Sequence, residues 1–232
     1  MITSFLQRLK SLFQKDPDQE FIAAQLRKPS GSYAREIASS MDKVNESQFD
    51  LTLEKMKLKN NESILEIGFG SGSFMEKLFQ ETYGLHVTGI DYSPQMVSLA
   101  TSINKSRVES GQLKLHEGSS DNLPFDDQSF DKAYCNMVIF FWDEPEKHLK
   151  EVYRVLKPAG KFYTGFRPVK NMKSFPFIKY GFRLYEKNEW SRILEQNGFS
   201  ITEISDITDP PIEFKGQLLQ MESVCITAEK SN

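Results

Sequence analysis

The chain has 232 residues, 39% of them hydrophobic, with 29 basic and 32 acidic side chains, enough to enclose one buried core with trimmings. A net charge of -3 gives no global pull toward nucleic acid, and no run of about 18 apolar residues exists to span a bilayer. The two cysteines, Cys135 and Cys225, are far apart and make neither a disulfide scaffold nor a metal-ligand cluster.

In chain order, Ile2, Phe5, Leu6, Leu9, Leu12 and Phe13 recur at helical spacing with basic residues between them. This predicts an amphipathic helix packed on the body of the protein, with a membrane-surface helix or a mobile cover as alternatives. The segment lacks the apolar run and cleavage site of a secretory signal, so the expected compartment is the cytoplasm. Pro17 closes it. A helix over 21–26 follows, then a turn at Arg27-Lys28-Pro29-Ser30-Gly31. Tyr33, Ala34, Ile37, Ala38 and Met41 mark another helix, and Phe49, Leu53 and Met56 a further one. Residues 1–60 therefore read as a helical cap without a strand.

From residue 61 strands and helices alternate. Strands are expected at 63–67, 86–90, 113–116, 132–137, 161–165, 200–204 and 223–228. Helices are expected after Gly72 and over 93–110, 146–156 and 187–197. This pattern predicts an α/β fold: a doubly wound, Rossmann-like, seven-stranded and mostly parallel sheet with helices on both faces. It forms a core at 61–232, in which 166–186 is a lid or acceptor-site segment.

Ligands of such sheets gather at the carboxyl ends of the strands. The first strand runs into Glu66-Ile67-Gly68-Phe69-Gly70-Ser71-Gly72, and the second ends at Asp91-Tyr92. Alternate glycines let a ligand press on the backbone, and Asp91 is placed to accept bonds from two ribose hydroxyls. A dinucleotide fingerprint would need its third Gly at position 73, which is Ser73. The Glu66 charge would also oppose a pyrophosphate, and residues 61–160 carry 15 acidic against 9 basic groups. A cationic ligand without phosphate fits better.

These residues resemble the class I S-adenosylmethionine-dependent methyltransferases, in particular the type 11-like small-molecule group. The likeness extends to Glu117 through Phe125 with Ser129-Phe130-Asp131, similar to the family's L-P-F…F-D signature. It continues in Glu151 through Lys161, similar to the family's helix-turn-strand ending in L-K-P-G-G. The resemblance implies that Glu66, Gly68, Phe69 and Gly70 line the methionine and ribose side of S-adenosylmethionine, with Gly72 setting the path of the loop. Asp91 would hold the ribose and Tyr92 lie against the adenine. Ser119 stands where the family usually has an acidic residue for the adenine amino group, so Ser119, Ser120 or a backbone group takes that contact. Asn136 falls where cofactor and acceptor meet.

No catalytic base is assigned among His86, His116 and His148; His116 is expected to pack beside the adenine, and no metal is called for. The acceptor is expected to be a small molecule, aromatic or anionic. Phe140, Phe141, Trp142, Tyr33 and the aromatics from Phe166 to Tyr185 would wall its pocket, and Arg167, Lys170, Lys173 and Arg183 would serve an anionic group. A nicotinamide-dependent oxidoreductase and a non-catalytic cofactor-binding protein are the alternative readings.

Overall fold

The computed structural model describes residues 18–80, 82–214 and 217–231; the amphipathic segment at 2–13 lies outside them. Seven strands form one sheet: β1 (Ser63–Ile67), β2 (His86–Asp91), β3 (Leu113–Glu117), β4 (Phe130–Asn136), β5 (Leu156–Phe166), β6 (Phe199–Thr208) and β9 (Glu222–Lys230). Their order is β3-β2-β1-β4-β5-β9-β6. The first five strands run parallel, and β9 lies antiparallel between β5 and β6. A separate ribbon pairs β7 (Ile212–Phe214) with β8 (Gln217–Leu219); the sequence pattern did not reveal it.

Alternation along the strands sorts their side chains to two faces. Leu65, Ile67, Ala133, Cys135, Phe162 and Ile226 pack with Leu149, Val152 and Val155 of α6 (Pro145–Val155) and with Trp190 and Leu194 of α8 (Lys187–Gln196). The intervening Ile64, Val87, Tyr134, Tyr163 and Cys225 face Phe49, Leu51 and Met56 of α2 (Ala34–Met56) and Met96 and Leu99 of α4 (Pro94–Ile103). Each Leu, Ile, Val, Phe or Met among them contributes roughly 1.5–3 kcal/mol by leaving water. The Trp190 indole is fully buried, and its N–H donates to Thr164 Oγ1 at 2.9 Å.

Three boundaries differ from the sequence pattern. The two helices expected between Tyr33 and Met56 are one continuous helix, α2, which ends with Lys57 in the left-handed conformation. The helix expected over 93–110 breaks at Asn104 into α4 and α5 (Lys105–Glu109). The Asn104 side-chain amide donates to Gly72 O and Ala100 O, both at 3.0 Å, and so competes with the helical backbone. Strand β5 starts at Leu156 rather than at 161, and the turn before Gly160 is absorbed as a register shift against β4. After Gly72 the helix is a single turn, α3 (Met75–Leu78). A nine-residue helix, α1 (Gln19–Arg27), precedes α2, capped by the Asp18 side chain.

Strand order reverses between β1 and β4. The two strands stay paired to Ile67 and Cys135, and the residues that follow them border a crevice.

Candidate active site

The turn leaving β1 is shaped by what surrounds it. Gly68 has φ +71°, and a Cβ there would lie 2.4 Å from Val138 Cγ2. Gly70 has φ +57° and faces open space, so the surface above it is bare backbone. Its N–H donates to Asp91 Oδ2 at 2.8 Å, and the Ser93 N–H donates to Asp91 Oδ1 at 2.8 Å. The carboxylate at the tip of β2 thus ties the glycine turn to the start of α4. Burial pushes Asp91 up to about 6 despite these bonds and the nearby Lys28 charge.

Glu66 lies one strand over, paired in register with Gly89 and Tyr134. It is buried, and its Oε2 has no hydrogen-bond partner among the described residues. Burial pushes it up to about 7 against the neighbouring Tyr134 hydroxyl, which lowers it, and the Asp91 charge pushes the same way as burial. Two buried carboxylates therefore share one crevice that has open space above Gly70.

The crevice opens into a cleft of about 470 Å³. Glu66, Gly68, Phe69, Gly70, Asp91, Tyr92, Ser119, Ser120 and Asn136 all border it. Gly72 does not; it packs against Ala100 and Asn104 beneath the turn. Tyr92 is 52% exposed at the rim, with Lys28 Nζ 3.9 Å from its ring centre.

Several residues of the cleft went unassigned in the sequence. Asp42 of α2 accepts from the hydroxyls of Ser71 and Ser73 at 2.7 and 2.8 Å, and burial raises its pKa. His148 shares a 2.8 Å hydrogen bond with Ser120 through Nδ1 and stacks on Trp142, with ring centres 4.7 Å apart. Burial lowers its pKa, which favours the neutral ring. His116, expected beside the adenine, does not border the cleft; it packs edge-on against Phe125 at 5.2 Å. Arg27 crosses the entrance, pairing with Asp143 at 2.6 Å and donating to Phe141 O at 2.9 Å. The turn that follows is fastened by Ser93, whose hydroxyl donates to Pro29 O at 2.6 Å.

At the end of β4, Asn136 Oδ1 accepts from Thr52 Oγ1 at 2.7 Å, while its Nδ2 has no partner among the described residues. Room for this pair comes from Gly165 on β5, where a Cβ would stand 1.9 Å from Asn136 Oδ1 and 2.5 Å from Gln48 Nε2. Gly165→Ala is expected to destabilise the protein by about 1–3 kcal/mol through overpacking. A drop of several degrees in thermal unfolding checks this, and an unchanged melting temperature contradicts it.

A second, smaller chamber of about 80 Å³ opens behind the cleft, sharing Leu26, Met41, Asn45, Met137 and Phe141 with it. Phe140, Phe175, Phe177 and Phe182 line it, whereas Phe166 and Tyr185 are core. The four basic residues of the aromatic segment do not converge. Lys170 pairs with Glu222, Lys173 and Arg183 are exposed, and Arg167 alone lines the chamber, paired with Asp209.

Comparison with known proteins agrees with this geometry. Residues 65–164 match the family described as the methyltransferase domain. The uncharacterized methyltransferase YdaC of Bacillus subtilis is 31% identical over 53% of this chain and 66% of its own. The ubiquinone/menaquinone biosynthesis C-methyltransferase UbiE of Geobacter sp. is 31% identical over 55% of this chain and 57% of its own. The chain thus spans somewhat under two thirds of these curated relatives. The YcgJ protein of Bacillus subtilis shares the fold with a TM-score of 0.69 at 18% identity, over 81% of this chain and 99% of that one. A putative methyltransferase of Haloferax volcanii, solved with the Trm112 activator, superposes with a TM-score of 0.72 at 20% identity, over 93% and 98% of the two chains. With its glycine turn and strand-end carboxylates, the stretch 65–164 is a methyltransferase domain, similar to those of the class I S-adenosylmethionine-dependent methyltransferases.

Proposed function

We propose that the chain transfers a methyl group from S-adenosylmethionine to a small-molecule acceptor, chiefly by holding the two in line and away from water. The observation that carries this reading is the buried Glu66 carboxylate, with an unpartnered Oε2, beside Asp91 and under the open face of Gly70. A cationic nucleoside without phosphate suits that arrangement. A pyrophosphate would meet two carboxylates, which argues against a nicotinamide cofactor.

In this reading Glu66, Gly68, Phe69 and Gly70 border the amino-acid and ribose portion of the cofactor. Asp91 accepts the ribose hydroxyls. Tyr92 and the Ser119–Ser120 loop flank the adenine, with His148 fixing Ser120. The bound cofactor supplies an activated methyl at a sulfonium, for which orientation alone can contribute roughly 7–11 kcal/mol. Asn136 borders the cleft next to Met137, which cleft and chamber share, and offers its unpartnered Nδ2 to an acceptor atom. No side chain is assigned as general base.

Residues 1–60 serve as the cap and 166–186 as the acceptor wall. The phenylalanines of the chamber favour an aromatic or otherwise apolar acceptor over an anionic one. Relatives named as O-methyltransferases and as a quinone-pathway C-methyltransferase support a small organic acceptor. We place the activity in the cytoplasm; the two buried free thiols suit a reducing compartment.

The test is a thermal-shift comparison. S-adenosylmethionine and S-adenosylhomocysteine should each raise the melting temperature, because both bind only the folded state, while NAD should not. No shift with either nucleoside at millimolar concentration overturns the reading. Lys28→Ala should weaken cofactor binding several-fold, since Lys28 covers Tyr92 and its charge reaches Asp91. Calorimetry showing unchanged affinity would reject that role.

A further inference from the structure

The chamber behind the cleft has an uneven chemistry. Its walls are phenylalanine, methionine, leucine and valine, with Asn45 near the seam. Arg167 is its single charged lining residue among the described residues and is only 2% exposed. The Arg167 guanidinium donates through Nη2 to Val44 O at 2.8 Å and through Nη1 to Asp209. Its Nε has no partner among the described residues, and neither has Asp209 Oδ1. Asp209 is itself held in place, its Oδ2 by the Ser223 hydroxyl at 3.0 Å and its carbonyl by Gln220 Nε2.

A buried N–H left without an acceptor is costly, so a ligand oxygen that reaches it gains more than it would on an open surface. Asp209 meanwhile cancels the Arg167 charge. An anion entering the chamber would lose its hydration and meet a neutralised pair, and a cation would meet the guanidinium. Only an uncharged group is free of either penalty. The narrow space limits that group to about one ring or a short chain. Because cleft and chamber share a seam at Met41, Met137 and Phe141, a molecule seated there still presents its other end to the cleft.

We infer that the acceptor's far end is a neutral apolar ring or chain bearing a hydrogen-bond-accepting oxygen, which Arg167 receives inside this chamber while Asp209 screens out charged analogues. The inference rests on the methyl-transfer reading and names the acceptor class of the same site. Arg167 and Asp209 are thereby specificity-determining residues.

Met41, Met137, Met172 and Met221 line the chamber, whereas Met56 and Met75 lie in the core on the other face of the sheet. Methionine-methyl NMR of the full chain saturated with S-adenosylhomocysteine therefore reads occupancy without turnover. Acetophenone, neutral with a carbonyl oxygen, should move the Met172 and Met221 signals and leave Met56 and Met75 in place. Benzoate, its charged counterpart, should bind at least roughly tenfold more weakly, and toluene, without the oxygen, roughly fivefold more weakly. Asp209→Asn should close the gap between benzoate and acetophenone to within about twofold. Equal binding of benzoate and acetophenone by the unmodified protein, or an unchanged gap in Asp209→Asn, overturns the inference.

If Asp209→Asn does not fold, Arg167→Met combined with Asp209→Leu replaces the pair by apolar side chains, a change buried ion pairs often tolerate. There the advantage of acetophenone over toluene must disappear, and its persistence overturns the inference. Calorimetry of S-adenosylhomocysteine on the same sample separates the two layers. Absent binding sinks the methyl-transfer reading itself, whereas tight binding with silent Met172 and Met221 sinks only the acceptor class.

Discussion

Asp91→Ala is expected to weaken S-adenosylmethionine binding roughly 100-fold or more, because two charge-assisted hydrogen bonds to the ribose, each worth about 1.5–3 kcal/mol, disappear together. The same carboxylate accepts from Gly70 N–H and Ser93 N–H, so the glycine turn loses its tie to β2 as well. These two effects can be told apart. Asp91→Asn keeps one oxygen acceptor for the turn but removes the charge, and it should retain most of the stability while still losing at least roughly tenfold in affinity. Calorimetric affinity within twofold of the unmodified protein for Asp91→Ala would contradict the placement of the ribose.

The second large effect concerns Glu66 and runs through pH. Its folded-state pKa is raised to about 7 by burial, against about 4.3 in an unfolded chain. A raised carboxyl favours folding while it is protonated. The cofactor-free protein should therefore be most stable, with respect to this group, below about pH 4.3, and lose stability as pH rises toward about 7. The loss approaches roughly 3–4 kcal/mol and then levels off. Asp91, raised to about 6 for the same reason, adds to the decline over the lower part of that window. Glu66→Gln removes the Glu66 share, so at pH 8 the variant without cofactor should melt several degrees above the unmodified protein.

Cofactor binding should show the opposite sign. The ionised carboxylate attracts the sulfonium, the one charge that S-adenosylmethionine carries and S-adenosylhomocysteine lacks. The preference for S-adenosylmethionine over S-adenosylhomocysteine should thus grow between pH 6 and 8, and in Glu66→Gln it should be flat. Titration calorimetry at several pH values measures this directly. A preference independent of pH in the unmodified protein would remove Glu66 from contact with the charged centre.

The succession of strands along the chain was legible because short apolar runs bounded by Gly, Pro and Asp leave few alternatives, but their order within the sheet was not. The glycine turn and Asp91 were legible because both lie within or beside such strands. What the sequence concealed are relations between distant positions. The run Asp42-Lys43-Val44-Asn45-Glu46-Ser47 interrupts the apolar stripe and suggests a break between two helices. In the fold it is one helix whose polar residues face ligand space and the β1 turn: Asp42 meets Ser71 and Ser73, Asn45 borders both cavities, and Glu46 pairs with Lys77. His148 looked like an ordinary helical residue because Ser120, its partner, is 28 positions away. The basic residues from Arg167 to Arg183 looked like one anion site. Nothing local discloses that Arg167 is matched by Asp209, 42 positions later, or that Lys170 turns to Glu222. Side-chain pairing across the sheet decides the character of the acceptor region, and periodicity carries no information about it.

The continuity of α2 constrains how anything enters or leaves. This rod of 23 residues, about 34 Å long, borders the cleft through Ala38, Met41, Asp42, Asn45 and Phe49. It is stitched to the sheet through Gln48 and Thr52, which bond to Val224 O and Asn136. No joint separates those two stretches, so the wall cannot swing as a hinged door. Any opening of the cap falls to the short stretch ahead of the rod, whose fastenings to the body include the Arg27–Asp143 bridge and the Ser93–Pro29 bond. Salt would loosen the exposed bridge but not the Ser93–Pro29 bond, which is buried.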